Sequence, residues 1–207
     1  MSKKIVVAAL IAAGMLSASV ANAADEGSFM VRARAVSVDF SNGQQDGLNN
    51  IGLGDIDAKS RWIPEVDLSY FFTKNIAAEL VLTYPQTVDI NSAALGKIGK
   101  IKALPPSLLV QYHFTNFGAF QPYVGAGVNY TLFMDHDNIL NGAAVVDRSS
   151  VGLVGQLGFD YMFTKNWGLN LDVKYIQMGT NVTVGGQKVG KLDLSPVTAG
   201  VGVSYRF

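Results

Sequence analysis

Apolar and polar residues alternate through the last eleven positions of the chain, and this pattern limits its fold more than any other feature. From Val197 to Phe207, apolar side chains at every second position interleave with threonine, glycine, serine and arginine. Side chains of a β-strand point alternately to its two faces, so the pattern predicts a strand with one apolar face. A soluble antiparallel sheet that is packed on one face alternates in the same way, so this strand alone leaves both possibilities open.

The aromatic end of this strand favours a membrane barrel. Phe207 is its last residue, and Tyr205 lies two positions earlier. This ending resembles the closing strand of bacterial outer-membrane barrels, in which it is the assembly signal. The resemblance implies a location in the bacterial outer membrane, and it implies the barrel-assembly machinery as a partner of the C-terminal strand.

The N-terminal segment indicates export. Lys3 and Lys4 precede an apolar run over 5–15, and Ala21-Asn22-Ala23 follows as a cleavage pattern. The run is shorter than the ~20 residues that a membrane-spanning helix needs. We therefore expect residues 1–23 to be a cleaved signal peptide and residues 24–207 to form a single outer-membrane domain.

Composition argues against several classes of function. Without Lys3 and Lys4 the chain carries 14 basic and 16 acidic side chains, so no nucleic-acid partner is expected. The chain contains no cysteine, which excludes disulfides, thiolate catalysis and zinc–cysteine sites. We expect no cofactor. The run Asp135-His136-Asp137-Asn138 is short, and we interpret it as a solvated loop rather than a metal site.

Period-two alternation recurs at the spacing of eight membrane strands of ~9–11 residues. The predicted strands are 28–40, 61–73, 75–86, 104–115, 119–134, 150–163, 167–182 and 189–207. Long links over 41–60, 87–103 and 135–149 alternate with short turns, as extracellular loops alternate with periplasmic turns in outer-membrane barrels. The predicted fold is all-β: an eight-stranded antiparallel transmembrane β-barrel.

Aromatic residues lie on the outward face near both ends of the predicted strands. The expected periplasmic group is Tyr70, Phe72, Phe114, Tyr161, Phe163, Trp167, Tyr205 and Phe207, and the expected upper group is Trp62, Tyr84, Tyr130 and Tyr175. Aromatic girdles at both interfaces are typical of membrane barrels, whereas a soluble β-sandwich would place these rings in its core. We therefore expect the outward face to contact outer-membrane lipid.

The first strand breaks the regular alternation. Val31, Ala33 and Ala35 alternate with Arg32 and Arg34, and the apolar positions then change parity at Val36. We interpret this change as a β-bulge or as the exit of the strand from the bilayer.

Charged residues fall on the inward face in the lower and middle lumen. An eight-stranded barrel is just wide enough inside for side chains, and an unpaired buried charge is very costly. We therefore expect cations and anions to pair into a plug, which argues against an open porin. The predicted plug consists of Arg32, Arg34, Glu65, Asp67, Glu79, Asp160, Asp172, Lys174 and Arg206.

Inward positions become apolar towards the extracellular end. The residues concerned are Ile63, Val81, Leu109, Phe133, Val154 and Ile176. One interpretation is ordinary packing inside a small barrel. The other is a hydrophobic substrate pocket that is open at the top and closed beneath by the plug.

Prolines are concentrated near the outer ends of the strands. The predicted lateral opening contains Pro64, Pro85, Pro105 and Pro106, and Pro196 lies at a similar height. Proline lacks the N–H that a ladder needs, so these positions either end the strands at their loops or leave a gap in the wall. A gap beside an apolar pocket would let a hydrophobic molecule leave sideways.

Several blocks of sequence resemble one family. The stretch 104–114 begins Leu-Pro-Pro, and 122–127 reads Pro-Tyr-Val-Gly-Ala-Gly. With 75–80, 167–175 and 192–207, these blocks are similar to the OmpW/AlkL family of eight-stranded outer-membrane proteins. The resemblance implies passive uptake of small hydrophobic molecules through a hydrophobic channel with a lateral opening.

The same resemblance identifies one departure from the family. A bulky apolar pair narrows the channel in the family, and the matching positions in this sequence are Val81 and Lys174. Lys174 replaces an aromatic residue, which implies a different constriction.

Two other functions compete with uptake. A lipid-modifying barrel enzyme would need a base, and we interpret the inward His113 as a structural hydrogen-bonding residue, with no catalytic residues expected. A structural or adhesive barrel would act through its long extracellular loops, which contain no recognisable motif.

Overall fold

The computed structural model describes residues 28–41, 43–45, 56–92, 96–134 and 144–207. Its strands in chain order are β1 (Phe29–Phe40), β2 (Gly43–Gln45), β3 (Ile56–Ala58), β4 (Arg61–Phe71), β5 (Ile76–Thr83), β6 (Gln86–Ser92), β7 (Gly96–Leu104), β8 (Ser107–His113), β9 (Phe120–Met134), β10 (Ala144–Val146), β11 (Ser149–Met162), β12 (Trp167–Ile176), β13 (Gly179–Val184), β14 (Gln187–Asp193) and β15 (Pro196–Arg206). The expected signal peptide 1–23 and the loop run 135–138 lie outside the described residues.

Eight of the described strands close into an antiparallel barrel in the order β1, β4, β5, β8, β9, β11, β12 and β15. The barrel closes where β15 pairs with β1 from Met30↔Arg206 to Phe40↔Pro196. The predicted eight-stranded antiparallel barrel is therefore confirmed. In the described part of the chain, no helix has the length and apolar character needed to cross a membrane.

Above the membrane strands, the barrel sheet continues into three further strands, and a separate sheet lies beside them. β7, β6 and β3 extend from the upper end of β9, while β10, β13, β14 and β2 form a separate four-stranded sheet. Much of what the sequence suggested to be long loops is therefore β-structure. These short segments of mixed polarity gave no clear alternation, although β6 and β7 pair with each other as a hairpin.

Two short turns share the sequence Thr-Lys-Asn and the same hydrogen bonds. Thr73 Oγ1 accepts from Ile76 N at 3.0 Å, and Thr164 Oγ1 accepts from Trp167 N at 2.8 Å. Side-chain acceptors of this kind stabilise tight turns because they satisfy backbone donors that the ladder leaves free. These turns fix which ends of the strands meet at the predicted periplasmic edge.

The outward face is apolar and is bordered by aromatic rings. Trp62 is 66% exposed and Leu171 is 46% exposed, as expected for side chains that face lipid. At the end with the short turns, Tyr205 packs against both Trp167 and Phe207, with ring centroids 4.8 Å apart in each pair. This arrangement matches the predicted periplasmic girdle.

Two of the predicted strands are too long at their upper ends. The predicted strand 167–182 divides into β12 and β13, and the predicted strand 189–207 divides into β14 and β15. At the break, Leu194 N donates to Met178 O at 2.8 Å and Met178 N donates to Ser195 Oγ at 3.1 Å. These local bonds interrupt the barrel ladder where β13 and β14 bend into the second sheet.

Of the two interpretations of the change at Val36, the β-bulge is wrong. Even-numbered residues of β1 are buried along its whole length, and its register with β4 and β15 is continuous through Val36. The parity of the apolar residues changes because the lumen changes from charged at Arg34 to apolar at Val36.

Candidate functional site

The lower and middle lumen is filled by a buried ion-pair network. Arg32 is fully buried, and its guanidinium contacts Glu79 Oε2 at 2.6 Å and Asp160 Oδ2 at 2.7 Å. A hydrogen bond to Ser69 Oγ at 2.8 Å uses a further donor of the same guanidinium. Because burying a charge is costly unless it is paired, this geometry explains how β1 keeps an arginine in a closed interior.

Arg34 and Lys174 form the upper part of this network. Arg34 contacts Asp67, Glu65 Oε1 at 3.1 Å and Asp172 Oδ2 at 3.3 Å. Lys174 Nζ lies 2.8 Å from Glu65 Oε1 and 2.7 Å from Asp172 Oδ1. Residues from β1, β4 and β12 are thus linked across the lumen.

The last residue of the predicted plug lies lower in the barrel. Arg206 is on β15 near the short turns, and its guanidinium carbon is 4.1 Å from the centroid of the Phe71 ring. A cation over an aromatic face is stabilised by the ring quadrupole. Arg206 therefore stacks on a ring at the periplasmic edge of the lumen.

Neutral polar side chains complete the network. Gln156 Nε2 donates to Glu79 Oε1 and to Asp172 Oδ2, at 2.8 Å in both cases. Tyr123 OH donates to Asp172 Oδ2 at 3.0 Å. Sequence reasoning omitted Tyr123, although it has the same parity as the inward Asn129 on β9.

His113 has a structural environment. Its Nε2 lies 3.0 Å from Gln111 Oε1, and its ring packs between Phe71 and Tyr123, with centroids 4.9 Å and 5.0 Å away. Within the described ranges, no group of three or more histidine, aspartate or glutamate residues is arranged to hold a metal ion.

Above the network lies an apolar cavity of about 50 Å³. Four of the six predicted pocket residues line it, namely Ile63, Val81, Phe133 and Ile176. The other two, Leu109 and Val154, are buried in a cluster with Val81 and Ile176 rather than in the cavity lining. The predicted set therefore divides between the cavity wall and the packed layer beside it.

Further lining residues come from segments that sequence reasoning did not assign to the pocket. They are Val36, Val38, Phe40, Ile101, Ala103, Met178 and Leu194. The change of parity of the apolar residues in β1 was the sequence signal that Val36, Val38 and Phe40 face the cavity. Ile101 and Ala103 face inward from β7, in a segment that the sequence suggested to be a loop.

The pairing of strands in the barrel wall is interrupted beside this cavity. The ladder between β5 and β8 ends at Val81↔Ser107, and the ladder between β6 and β7 starts at Gln86↔Ala103. Residues 82–85 and 104–106 face each other across this break, which we call the window. Pro85 lies on one edge, and Pro105 and Pro106 lie on the other.

Residues from both sides of the window line the cavity. Thr83 and Gln86 line the cavity from one edge, and Pro105 lines it from the other. Pro64 lies on β4 just above Glu65↔Thr83, where the ladder between β4 and β5 ends. The four prolines predicted for a lateral opening therefore lie at ladder ends around one side of the cavity.

Comparison with known proteins identifies relatives of the same kind. The OmpW family profile matches residues 25–207. Outer membrane protein W of Escherichia coli (strain K12) is 34% identical over 214 residues, covering 99% of this chain and 100% of the relative. Outer membrane protein AlkL of Ectopseudomonas oleovorans is 32% identical over 149 residues, covering 68% of this chain and 64% of the relative.

A solved structure has the same architecture. The crystal structure of the outer membrane protein OprG from Pseudomonas aeruginosa superposes with a TM-score of 0.76 at 31% identity, covering 88% of this chain and 96% of OprG. The predicted family and the predicted bacterial outer-membrane location are thus confirmed. With its closed barrel and its match along nearly the whole sequence, the chain belongs to the OmpW family of outer-membrane proteins.

Proposed function

We propose that this barrel is a channel for the passive uptake of small hydrophobic molecules. The molecule enters the apolar cavity from the extracellular side and leaves sideways through the window into the outer membrane. The observation that supports this proposal is the position of the window, where the strands of the wall are unpaired at the height of the cavity.

The ion-pair network argues against passage straight through the barrel. Glu65, which contacts Arg34 and Lys174, also lines the lower part of the cavity, so the two layers are adjacent. To go further, a hydrophobic solute would have to displace paired buried charges. The free energy that the solute gains by leaving water cannot offset the cost of breaking these pairs.

The lateral route is favourable for an apolar solute. Each Å² of apolar surface removed from water contributes roughly 25 cal/mol, both in the cavity and in the lipid beyond it. A polar solute gains nothing from either environment. The route therefore selects for hydrophobicity without an energy source.

Uptake by whole cells tests this proposal. Cells that produce the barrel should accumulate a small labelled hydrocarbon faster than cells that lack it. Val81→Trp should lower the initial rate towards that of cells without the barrel, because the larger side chain fills the cavity. Equal rates with and without the barrel would contradict the proposed function.

Two control variants accompany this measurement. Val173→Trp places the same bulky side chain on the lipid-facing surface, where Val173 is exposed, and should leave uptake unchanged. His113→Ala should also leave uptake unchanged, which would separate transport from a lipid-modifying activity. Heat-modifiable migration in gels reports whether each variant is folded.

A further inference from the structure

The cavity is apolar except for a few polar atoms, and two of these lie beside the window. Arg61 lines the cavity from β4, and Thr83 lines it from β5. Arg61 Nε and Thr83 Oγ1 are both buried, and neither has a hydrogen-bond partner among the described residues. Another donor of Arg61, Nη1, donates to the carbonyl oxygen of Thr87 on β6 and thereby fixes the side chain beside the opening.

Such unpartnered atoms are unusual in a native interior. Most buried polar side-chain atoms have a partner, because leaving one unpaired loses its hydration without compensation. Both atoms can donate a hydrogen bond, and Thr83 lies where the ladder between β4 and β5 ends. Both residues line the same cavity, so each can donate to a ligand that occupies it.

Local charge favours an anionic oxygen. Arg61 carries a permanent positive charge, and charge-assisted hydrogen bonds to carboxylates are about twice as strong as neutral ones. The acidic residue in the cavity lining is Glu65, whose carboxylate contacts Arg34 at 3.1 Å and Lys174 at 2.8 Å. Glu65 is thus already neutralised by partners below the cavity.

We infer that Arg61 and Thr83 form a head-group site for single-chain carboxylates, an inference that rests on the proposed uptake function. The carboxylate accepts from Arg61 Nε and Thr83 Oγ1, and the hydrocarbon chain occupies the apolar cavity. The preferred substrates are then linear amphiphiles with a terminal carboxylate rather than plain hydrocarbons.

Two probes of equal chain length test the site: decanoate, which has a carboxylate, and decane, which has none. Initial uptake of each is measured in cells that produce the wild-type barrel, Arg61→Met or Thr83→Val. Thr83→Val keeps the shape of the side chain and removes only the hydroxyl. We expect either variant to lower decanoate uptake about tenfold, as the loss of a hydrogen bond to a charged group implies, and to lower decanoate uptake far more than decane uptake.

Arg148→Met is the matched control for charge. Arg148 is exposed and does not line the cavity, so its removal changes the charge of the extracellular surface without changing the proposed site. Decanoate uptake should remain at the wild-type level in this variant. A loss equal to that of Arg61→Met would assign the effect to surface charge and overturn the head-group site.

The remaining outcomes separate the site from the channel itself. If both probes enter through the wild-type barrel but Arg61→Met and Thr83→Val leave decanoate unchanged, or slow both probes equally, the head-group site is wrong and the channel stands. If neither probe enters faster than in cells without the barrel, the proposed uptake function fails, and the site fails with it.

Discussion

Lys174 illustrates, at the scale of single residues, how the lumen depends on charge pairing. The side chain is buried and its ammonium contacts Glu65 and Asp172. We expect Lys174→Met to lower the free energy of unfolding by about 3–5 kcal/mol, because two buried carboxylates lose a counter-charge. Urea unfolding of the barrel in lipid vesicles measures this change.

A second substitution distinguishes charge from packing. Adding Glu65→Gln to Lys174→Met removes one of the two carboxylates that lose the ammonium and should recover part of the loss. Lys165→Met, in an exposed turn, should change stability by no more than about 0.5 kcal/mol. A double variant as unstable as Lys174→Met alone would mean that the ammonium acts through packing.

The network also shows what single residues in the sequence could predict. The alternation along each strand predicted that Arg32, Glu79 and Asp160 face the lumen. Because an unpaired buried charge is costly, each of them was expected to have a partner of opposite charge. Which anion each cation contacts depends on strand register and on the stagger around the barrel, which no local pattern encodes. Hence Arg32–Glu79 and Arg32–Asp160, pairs separated by 47 and 128 positions, emerge only from the structure.

The window is a property of whole strands rather than of one side chain. The sequence contains no cysteine, so a cysteine pair can be introduced alone across it. We expect a bifunctional maleimide that joins Tyr84→Cys to Leu104→Cys to lower hydrocarbon uptake towards the rate without the barrel, because it closes the lateral route. A monofunctional maleimide on the same variant tests the effect of modification without closure.

The intact part of the same wall provides the matched control. Leu80 and Leu108 are directly paired across β5 and β8, and both are exposed on the outward face. Joining Leu80→Cys to Leu108→Cys should leave uptake unchanged, since these strands are already connected. If both cross-links slow uptake to the same degree, lateral exit between β5 and β8 is not the route.

At the scale of strands, prediction worked where alternation was long and failed where strands were short. Six of the eight membrane strands were located to within three residues at each end, because lipid requires an apolar residue at every second position. β6 and β7 were missed because polar residues occupy much of their length, as in Gln86-Thr87 and Lys100. The proline positions suggested weak ladders, whereas the location of the window follows from the change of partners between β5–β8 and β6–β7.

The whole molecule is layered along the barrel axis. From the end with the short turns upwards, the layers are an aromatic rim, the ion-pair network and the apolar cavity with its window. The β-structure above the membrane strands is the last layer. Eight strands leave no width for a water channel beside filled side chains. The ion-pair network closes the passage along the barrel axis, and the window lies above that network. A sideways route through the window therefore need not open a route straight through the barrel.

This separation predicts that ions and hydrocarbons behave differently in the same protein. In planar bilayers the wild-type barrel should show no stepwise ion conductance, while it accelerates hydrocarbon uptake in cells. Replacing both Arg34 and Tyr123 by serine removes two large buried side chains from the network and should let water and ions through. Hydrocarbon uptake should change less than conductance, because the cavity and the window lie above the substituted layer. Open-porin conductance in the wild type would contradict a closed lumen, and parallel changes in both measurements would mean that the two solutes share one path.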